Sequence, residues 1–262
     1  MSFTFDLISD LHVDTWPDMD WSIFPTSTIA VVAGDISVDR RRTIETLKKL
    51  GKAYQAVFYI DGNEEHERYL ENLSHSYTDL VSRLNVLENV VYLQDNVVVV
   101  DDVAILGTNG WWGFDFDISV DPTASCQHYQ EKYNLSNEAV KAIAKMSSND
   151  AVYMINSVKK LQSHKDVKKI VIVTHTVPDA ALICHDPDLC NQLKFNTMGN
   201  RIMRQVLEHD TKGKIHTWCF GHYHGSVDQF RDNIRWVNNC RGRGDTPWAK
   251  HVYHPLRIKV DY

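Results

Sequence analysis

Residues 3–12 read Phe3-Thr4-Phe5-Asp6-Leu7-Ile8-Ser9-Asp10-Leu11-His12. The first six are mostly apolar, as in a buried strand, and the run stops at two side chains able to bind a cation. The same layout recurs along the chain. Ile29–Ala33 leads to Gly34-Asp35, and Ala56–Ile60 leads to Gly62-Asn63. Residues 170–174 end at His175, and Ile215–Phe220 ends at Gly221-His222-Tyr223-His224-Gly225. Side chains at the ends of several strands converge in space even when far apart in sequence.

These donors are oxygen and nitrogen atoms with no cysteine among them. That set suits Mn²⁺, Fe, Zn²⁺ or Mg²⁺ and argues against a structural zinc knot. Its layout is that of a two-metal hydrolytic site.

Helical spacing separates the first strands. Ile44, Leu47, Leu50 and Ala53 follow Asp39, a suitable N-cap, and residues 64–84 carry the pattern of one long amphipathic helix. Alternating strands and helices predict parallel pairing with right-handed crossovers. Residues 97–100, Asp101-Asp102 and residues 103–106 predict a two-residue hairpin, followed by a loop holding Trp111, Trp112, Phe114 and Phe116. Helices are expected near 127–133 and 149–164, then a loop over 176–195 and a helix marked by Ile202, Val206 and Leu207. Residues 227–230, 234–237 and 256–260 are expected as antiparallel strands. Together these predict an α/β fold of two mixed sheets packed face to face with helices outside.

The 262 residues suffice for one large core, and no repeat or linker divides them, so a single domain over 1–262 is expected. A balance of 28 basic against 34 acidic residues, net −6, offers no general surface for duplex nucleic acid or an anionic membrane. No 18-residue apolar run predicts a membrane span. Met1-Ser2 leads directly into the first strand, so the fold is expected to start with the gene product. Cys126, Cys184, Cys190, Cys219 and Cys240 form an odd set without a Cys-x-x-Cys pair, which fits reduced thiols in a cytoplasm. Cys184 and Cys190 flank His185, but that loop lacks a fourth evident ligand for a second metal site.

In this order, Asp-x-His, Gly-Asp, Gly-Asn, His and Gly-His-x-His resemble the calcineurin-like metallophosphoesterase superfamily, over residues 10–224. The resemblance implies a four-layer αββα sandwich and two divalent ions, Mn²⁺ or an Fe/Mn pair foremost, with Mg²⁺ or Zn²⁺ as alternatives. It implies Asp10, His12 and His224 on one ion, Asn63, His175 and His222 on the other, and Asp35 between them. It also implies hydrolysis of a phosphomonoester or phosphodiester of a small molecule or nucleotide by a metal-bridging hydroxide. A binding or scaffold protein that retains the fold without catalysis is the rival reading, and a zinc amide hydrolase a remoter one.

One position departs from the superfamily pattern. Gly-Asn-His-Glu is replaced by Gly62-Asn63-Glu64-Glu65-His66, so Glu64 stands where the superfamily has the histidine that contacts the phosphoryl oxygen or protonates the leaving group. His66 and Glu64 are therefore the candidate acids, with a helix-start histidine away from the site as the alternative for His66. Asn63, Arg241 and Trp112 are the candidate substrate contacts, with Arg243 and Asn109 nearby in their motifs. An ordinary turn arginine and plain loop packing are the competing readings for Arg241 and Trp112.

Overall fold

The computed structural model describes residues 2–186, 189–190, 192–247 and 249–262. Among them the chain runs β1 (Ser2–Ile8), β2 (Ile29–Ala33), α1 (Arg40–Ala53), β3 (Ala56–Ile60), α2 (Leu73–Leu84), β4 (Val90–Tyr92), β5 (Asn96–Val100) and β6 (Val103–Thr108). It continues through α3 (Pro122–Tyr133), α4 (Asn137–Ser163), β7 (Lys169–Thr174), β8 (Ile215–Phe220), β9 (Asp228–Arg231), β10 (Ile234–Asn238) and β11 (Leu256–Asp261). One sheet has the order β11-β1-β2-β3-β4 and the other β5-β6-β7-β8-β10-β9.

Strand alternation explains why the apolar runs are continuous. Phe5, Leu7, Val31, Ala33, Phe58 and Ile60 from the first sheet meet Ile105, Val171, Val173, Cys219 and Val237 from the second. Their neighbours Ala30, Val32, Val57 and Tyr59 face outward against Leu47 and Leu50 of α1 and Leu80 and Leu84 of α2. On the far side Ile170, Ile172, Trp218 and Trp236 pack against Ala151, Met154 and Val158 of α4. The central strands of each sheet are covered on both faces, and the layers run helix, sheet, sheet, helix.

Several element assignments differ from the sequence reading. The single helix expected over 64–84 is split into a 3-10 helix, Glu64–Asn72, and α2. Tyr69 is non-helical at φ −130°, and the Asn72 side chain accepts from His75 N to start a new α-helix. The last expected helix is also 3-10, Arg201–His209, capped by Asn200. Helices α3 and α4 begin earlier than expected, at the caps Asp121 and Ser136. β10 is parallel to β8 and antiparallel only to β9, whereas β11 pairs antiparallel with β1 as an edge of the first sheet. The β5–β6 hairpin turns on Asp101-Asp102 as expected, with Val100 opposite Val103.

Glu65 fastens the turns after β2 and β3 to each other. Its carboxylate accepts from the backbone N–H of Ile36 at 2.6 Å, Gly62 at 2.7 Å and Asp35 at 3.1 Å, all buried. Glu65→Ala leaves those donors without an acceptor and is expected to cost about 3 kcal/mol of unfolding free energy or more, with Glu65→Gln costing less. Denaturant melts measure this. A loss below about 0.5 kcal/mol for Glu65→Ala would mean that water replaces the carboxylate.

Candidate metal centre

Every candidate ligand stands at the carboxyl edge of a strand or in the turn just beyond it. Those turns are unusual: Asp10, His12, Asp35 and His222 have φ of 50°, 42°, 52° and 64°. Left-handed backbone costs a residue other than glycine roughly 1–3 kcal/mol and clusters at functional sites. Here it directs the side chains of a short turn into one space. The Gly-His-x-His turn shows the result, since His222 joins Asp35 and His175 while His224 joins Asp10 and His12.

The glycines beside the ligands allow close approach. A Cβ on Gly62 would stand 2.1 Å from Asp35 Oδ1, and one on Gly221 would stand 2.5 Å from Asp10 Oδ2. A side chain at either place would displace a candidate ligand.

Two groups of donors result, Asp10/His12/His224 and Asp35/His175/His222, with the ligand atoms of each group within 4.8 Å of one another. His12 Nε2 and His224 Nε2 are 3.0 Å apart, and His224 Nε2 lies 3.5 Å from Asp10 Oδ1. His175 Nε2 lies 3.3 Å from Asp35 Oδ2 and 3.1 Å from Asn63 Oδ1. His12, Asp35 and Glu64 form a third such group. Asp10, His12, Asp35 and His175 are buried, while the His224 side chain is 24% exposed and marks the open side.

Surrounding groups fix the rings. His12 Nδ1 is 2.8 Å from Glu64 Oε2, and His175 Nδ1 donates to Ala33 O at 2.9 Å. His222 Nε2 donates to Thr197 O at 3.2 Å, and its ring stacks on Trp112 with centroids 5.6 Å apart. Each of these imidazoles keeps one nitrogen free of its anchoring partner, the arrangement that outer-shell groups impose on metal-binding histidines. Asp10 accepts from His222 N at 2.9 Å, and Cys240 Sγ is 2.9 Å from its other oxygen. The residues present therefore fit two divalent cations.

Electrostatics point the same way. Burial disfavours the His12 imidazolium, but the hydrogen bond and charge of Glu64, then Asp35 and Asp10, outweigh it and raise its pKa to about 9. His175, also opposed by burial, is raised to about 10, chiefly by Asp35. Burial and the charge of His175 push His222 down to about 4. Burial alone would raise Asp35 and Asp10, yet the neighbouring histidines hold both carboxyls below their ordinary value.

The other candidate residues lie elsewhere. His66 is buried, with Nε2 2.9 Å from Asp61 Oδ2 and Nδ1 2.8 Å from Ser76 Oγ, and its ring packs on Tyr77. Glu64, by contrast, joins the cluster through His12 and receives Arg243 Nη1 at 3.1 Å. Arg241 is buried over the Trp16 ring, 4.2 Å from its centroid, and its Nε and Nη1 have no partner among the described residues. Trp112 is buried within an apolar cluster with Trp111 and Phe114, so it backs His222 and does not line an opening. Asn109 donates to Asp61, not towards the ligands. The three candidate clusters among the described residues contain no cysteine, and all five cysteines are free. No described helix is long and apolar enough to cross a membrane.

The supporting roles of two residues, Glu65 and Arg243, are not read from the sequence. The role of Glu65 follows from four motif positions read together, because the acid after Gly-Asn-x is in reach of both glycine turns. Arg243 has no local signal that separates it from Arg241; only the path of the turn selects it.

The chain matches no protein-family model and no curated relative. Among solved structures it is similar to a phosphopantetheinyl hydrolase from Mycobacterium tuberculosis, at TM-score 0.69 and 18% identity, over 97% of this chain and 95% of that one. It is also similar to a dimetal phosphatase from Danio rerio, at TM-score 0.57 and 14% identity, over 97% of this chain and 91% of that one. The chain thus shares the αββα sandwich of these structures, which is the fold expected from the sequence.

The raised histidines have a measurable consequence. A folded-state pKa above the unfolded value of about 6.5 stabilises the protein below that value, and the gain is lost as pH climbs through the folded value. Without metal, the melting temperature is expected to fall between about pH 7 and pH 10 as His12 and His175 lose their protons. Saturating Mn²⁺ is expected to flatten that slope by replacing the protons. A metal-free protein that gains stability over this window would contradict the assignment.

Proposed function

We propose that the protein is a dinuclear metal-dependent phosphoesterase. The observation that carries this reading is the pair of donor groups, Asp10/His12/His224 and Asp35/His175/His222, side by side at the carboxyl edges of the two sheets. Asp10, His12 and His224 hold one ion; Asn63, His175 and His222 hold the other; Asp35 serves both. Two divalent ions there supply Lewis acidity towards phosphoryl oxygens and an activated water for in-line displacement.

The chain's own residues set the rest. Glu64 orients His12 through Nδ1 and is itself held by Arg243, so it is a positioning residue and not a free acid. His66, with both nitrogens engaged by Asp61 and Ser76, holds the core beneath the centre. Neither Glu64 nor His66 then stands ready to protonate a poor leaving group, and the enzyme favours phosphate esters of acidic alcohols or phenols. Small-molecule esters are the substrate class, in keeping with the acidic net charge.

Metal analysis with an aryl and alkyl phosphate screen tests the assignment. Asp35→Asn is expected to lower occupancy of both sites and reduce turnover by about 10²-fold or more, whereas Asp10→Asn mainly empties one. Two bound ions and near-normal turnover in Asp35→Asn would remove Asp35 from its bridging place. Retained metal without turnover on any ester would favour the binding-protein reading.

The Glu64 arrangement makes a separate prediction. Glu64→Ala is expected to weaken binding at the His12 site about 10- to 100-fold by metal titration, with a smaller loss for Arg243→Ala. His66→Ala is expected to lower stability while leaving the ratio of aryl- to alkyl-ester turnover within about threefold. A selective loss of alkyl-ester turnover in His66→Ala would restore it as the acid.

A further inference from the structure

His222 and His224, one imidazole from each donor group, also border a single cavity of about 270 Å³. Its remaining wall includes Leu189, Met198, Tyr223 and Gly225. We infer that this cavity seats the organic group of the phosphate ester and selects an uncharged alkyl or aryl group about one ring in size. The inference rests on the dinuclear reading above.

Three observations carry it. First, His222 and His224 belong one to each donor group and both border the cavity, so a phosphoryl group held between the two groups would have this space as its neighbour. Second, the wall is chemically selective. Leu189, Met198 and the Tyr223 ring are apolar, and Asp186 and Lys194, the acid and base among the described lining residues, oppose each other in sign. The Asp186 carboxylate accepts from Tyr223 Oη at 3.0 Å, which ties the polar end of that ring into the wall. A further phosphate finds one cation opposed by one anion there, whereas an apolar group gains from every surface it covers.

Third, the volume sets the size. An apolar cavity of roughly 150 Å³ holds benzene, so about 270 Å³ takes one ring with substituents and falls below most drug-sized sites. The aromatic loop offers no competing seat, because Trp111, Trp112, Phe114 and Phe116 are all buried.

The test compares two p-nitrophenyl phosphodiesters with the Mn²⁺-loaded protein, one carrying a methyl and the other a phenyl second ester group. The phenyl ester is expected to be preferred in kcat/KM. Leu189→Trp, at a half-buried wall position, is expected to reduce the phenyl-to-methyl ratio about tenfold or more. Where that variant fails to fold, Met198→Ala enlarges the cavity and is expected to shift preference towards a naphthyl ester. Two bound Mn²⁺ with hydrolysis of both diesters, but ratios unmoved by either substitution, overturns the subsite and leaves the dinuclear reading standing. Absence of both Mn²⁺ binding and hydrolysis in the unmodified protein overturns the dinuclear reading and the subsite together.

Discussion

Asp10, Asp35 and Glu64 bring three carboxylates into one largely buried region at a sheet edge, and their mutual repulsion has to be offset there. Ionised acids out of water cost several kcal/mol each unless positive charge stands beside them. In the metal-free protein that charge comes from protons held on His12 and His175 well above the ordinary histidine value. Divalent ions supply it more effectively, because each brings two charges and engages lone pairs that the protons leave facing one another. The close approach of His12 Nε2 and His224 Nε2 is a case in point: one shared proton can join them, but a cation satisfies both. On the proposed dinuclear reading, the same donors would take protons or metal in competition.

The frame that imposes this crowding is made of ordinary strands and expensive turns. Parallel strands β1, β2 and β3, and likewise β7 and β8, deliver their carboxyl ends to the same edge. Left-handed Asp10, His12, Asp35 and His222 then turn the chain sharply enough to place two ligands within a few residues. That strain persists because the surroundings over-determine it. Glu65 binds the turn after β2 to the turn after β3, and Gly242 N donates to Asp10 O at 3.0 Å from the late turn after β10. Local cost is offset by contacts far apart in sequence.

Much of this was legible in the residues. Continuous apolar runs ending in Asp, Asn or His located the parallel strands and the edge where the candidate donors gather, because a strand buried on both faces leaves no alternation to misread. Less was legible where a choice depended on tertiary contacts. Residues 64–84 have helical apolar spacing throughout, yet Glu65 is held by backbone groups of the turns after β2 and β3, and Asn72 caps a new start. β10 carries no sign of its direction relative to β8, since either orientation buries Ile234, Trp236 and Val237. Trp112 was ambiguous for a similar reason: an aromatic loop has the same composition whether it lines a cleft or stacks behind a histidine.

Glu64 shows how one substitution changes the character of a site without disturbing its frame. A histidine near the phosphoryl group can donate a proton; a carboxylate next to two anionic ligands would instead repel substrate if it faced the site alone. Here Glu64 lies between His12 and Arg243, at 2.8 Å and 3.1 Å, so its charge is covered on both sides. Its contribution shifts from proton transfer to holding an imidazole in register. On the proposed reading the consequence is chemical: with Glu64 and His66 both engaged elsewhere, the centre would rely on the leaving group's own acidity. Substrate selection would then pass from proton transfer to the space adjoining the donors, which gives the apolar wall beside His222 and His224 its importance.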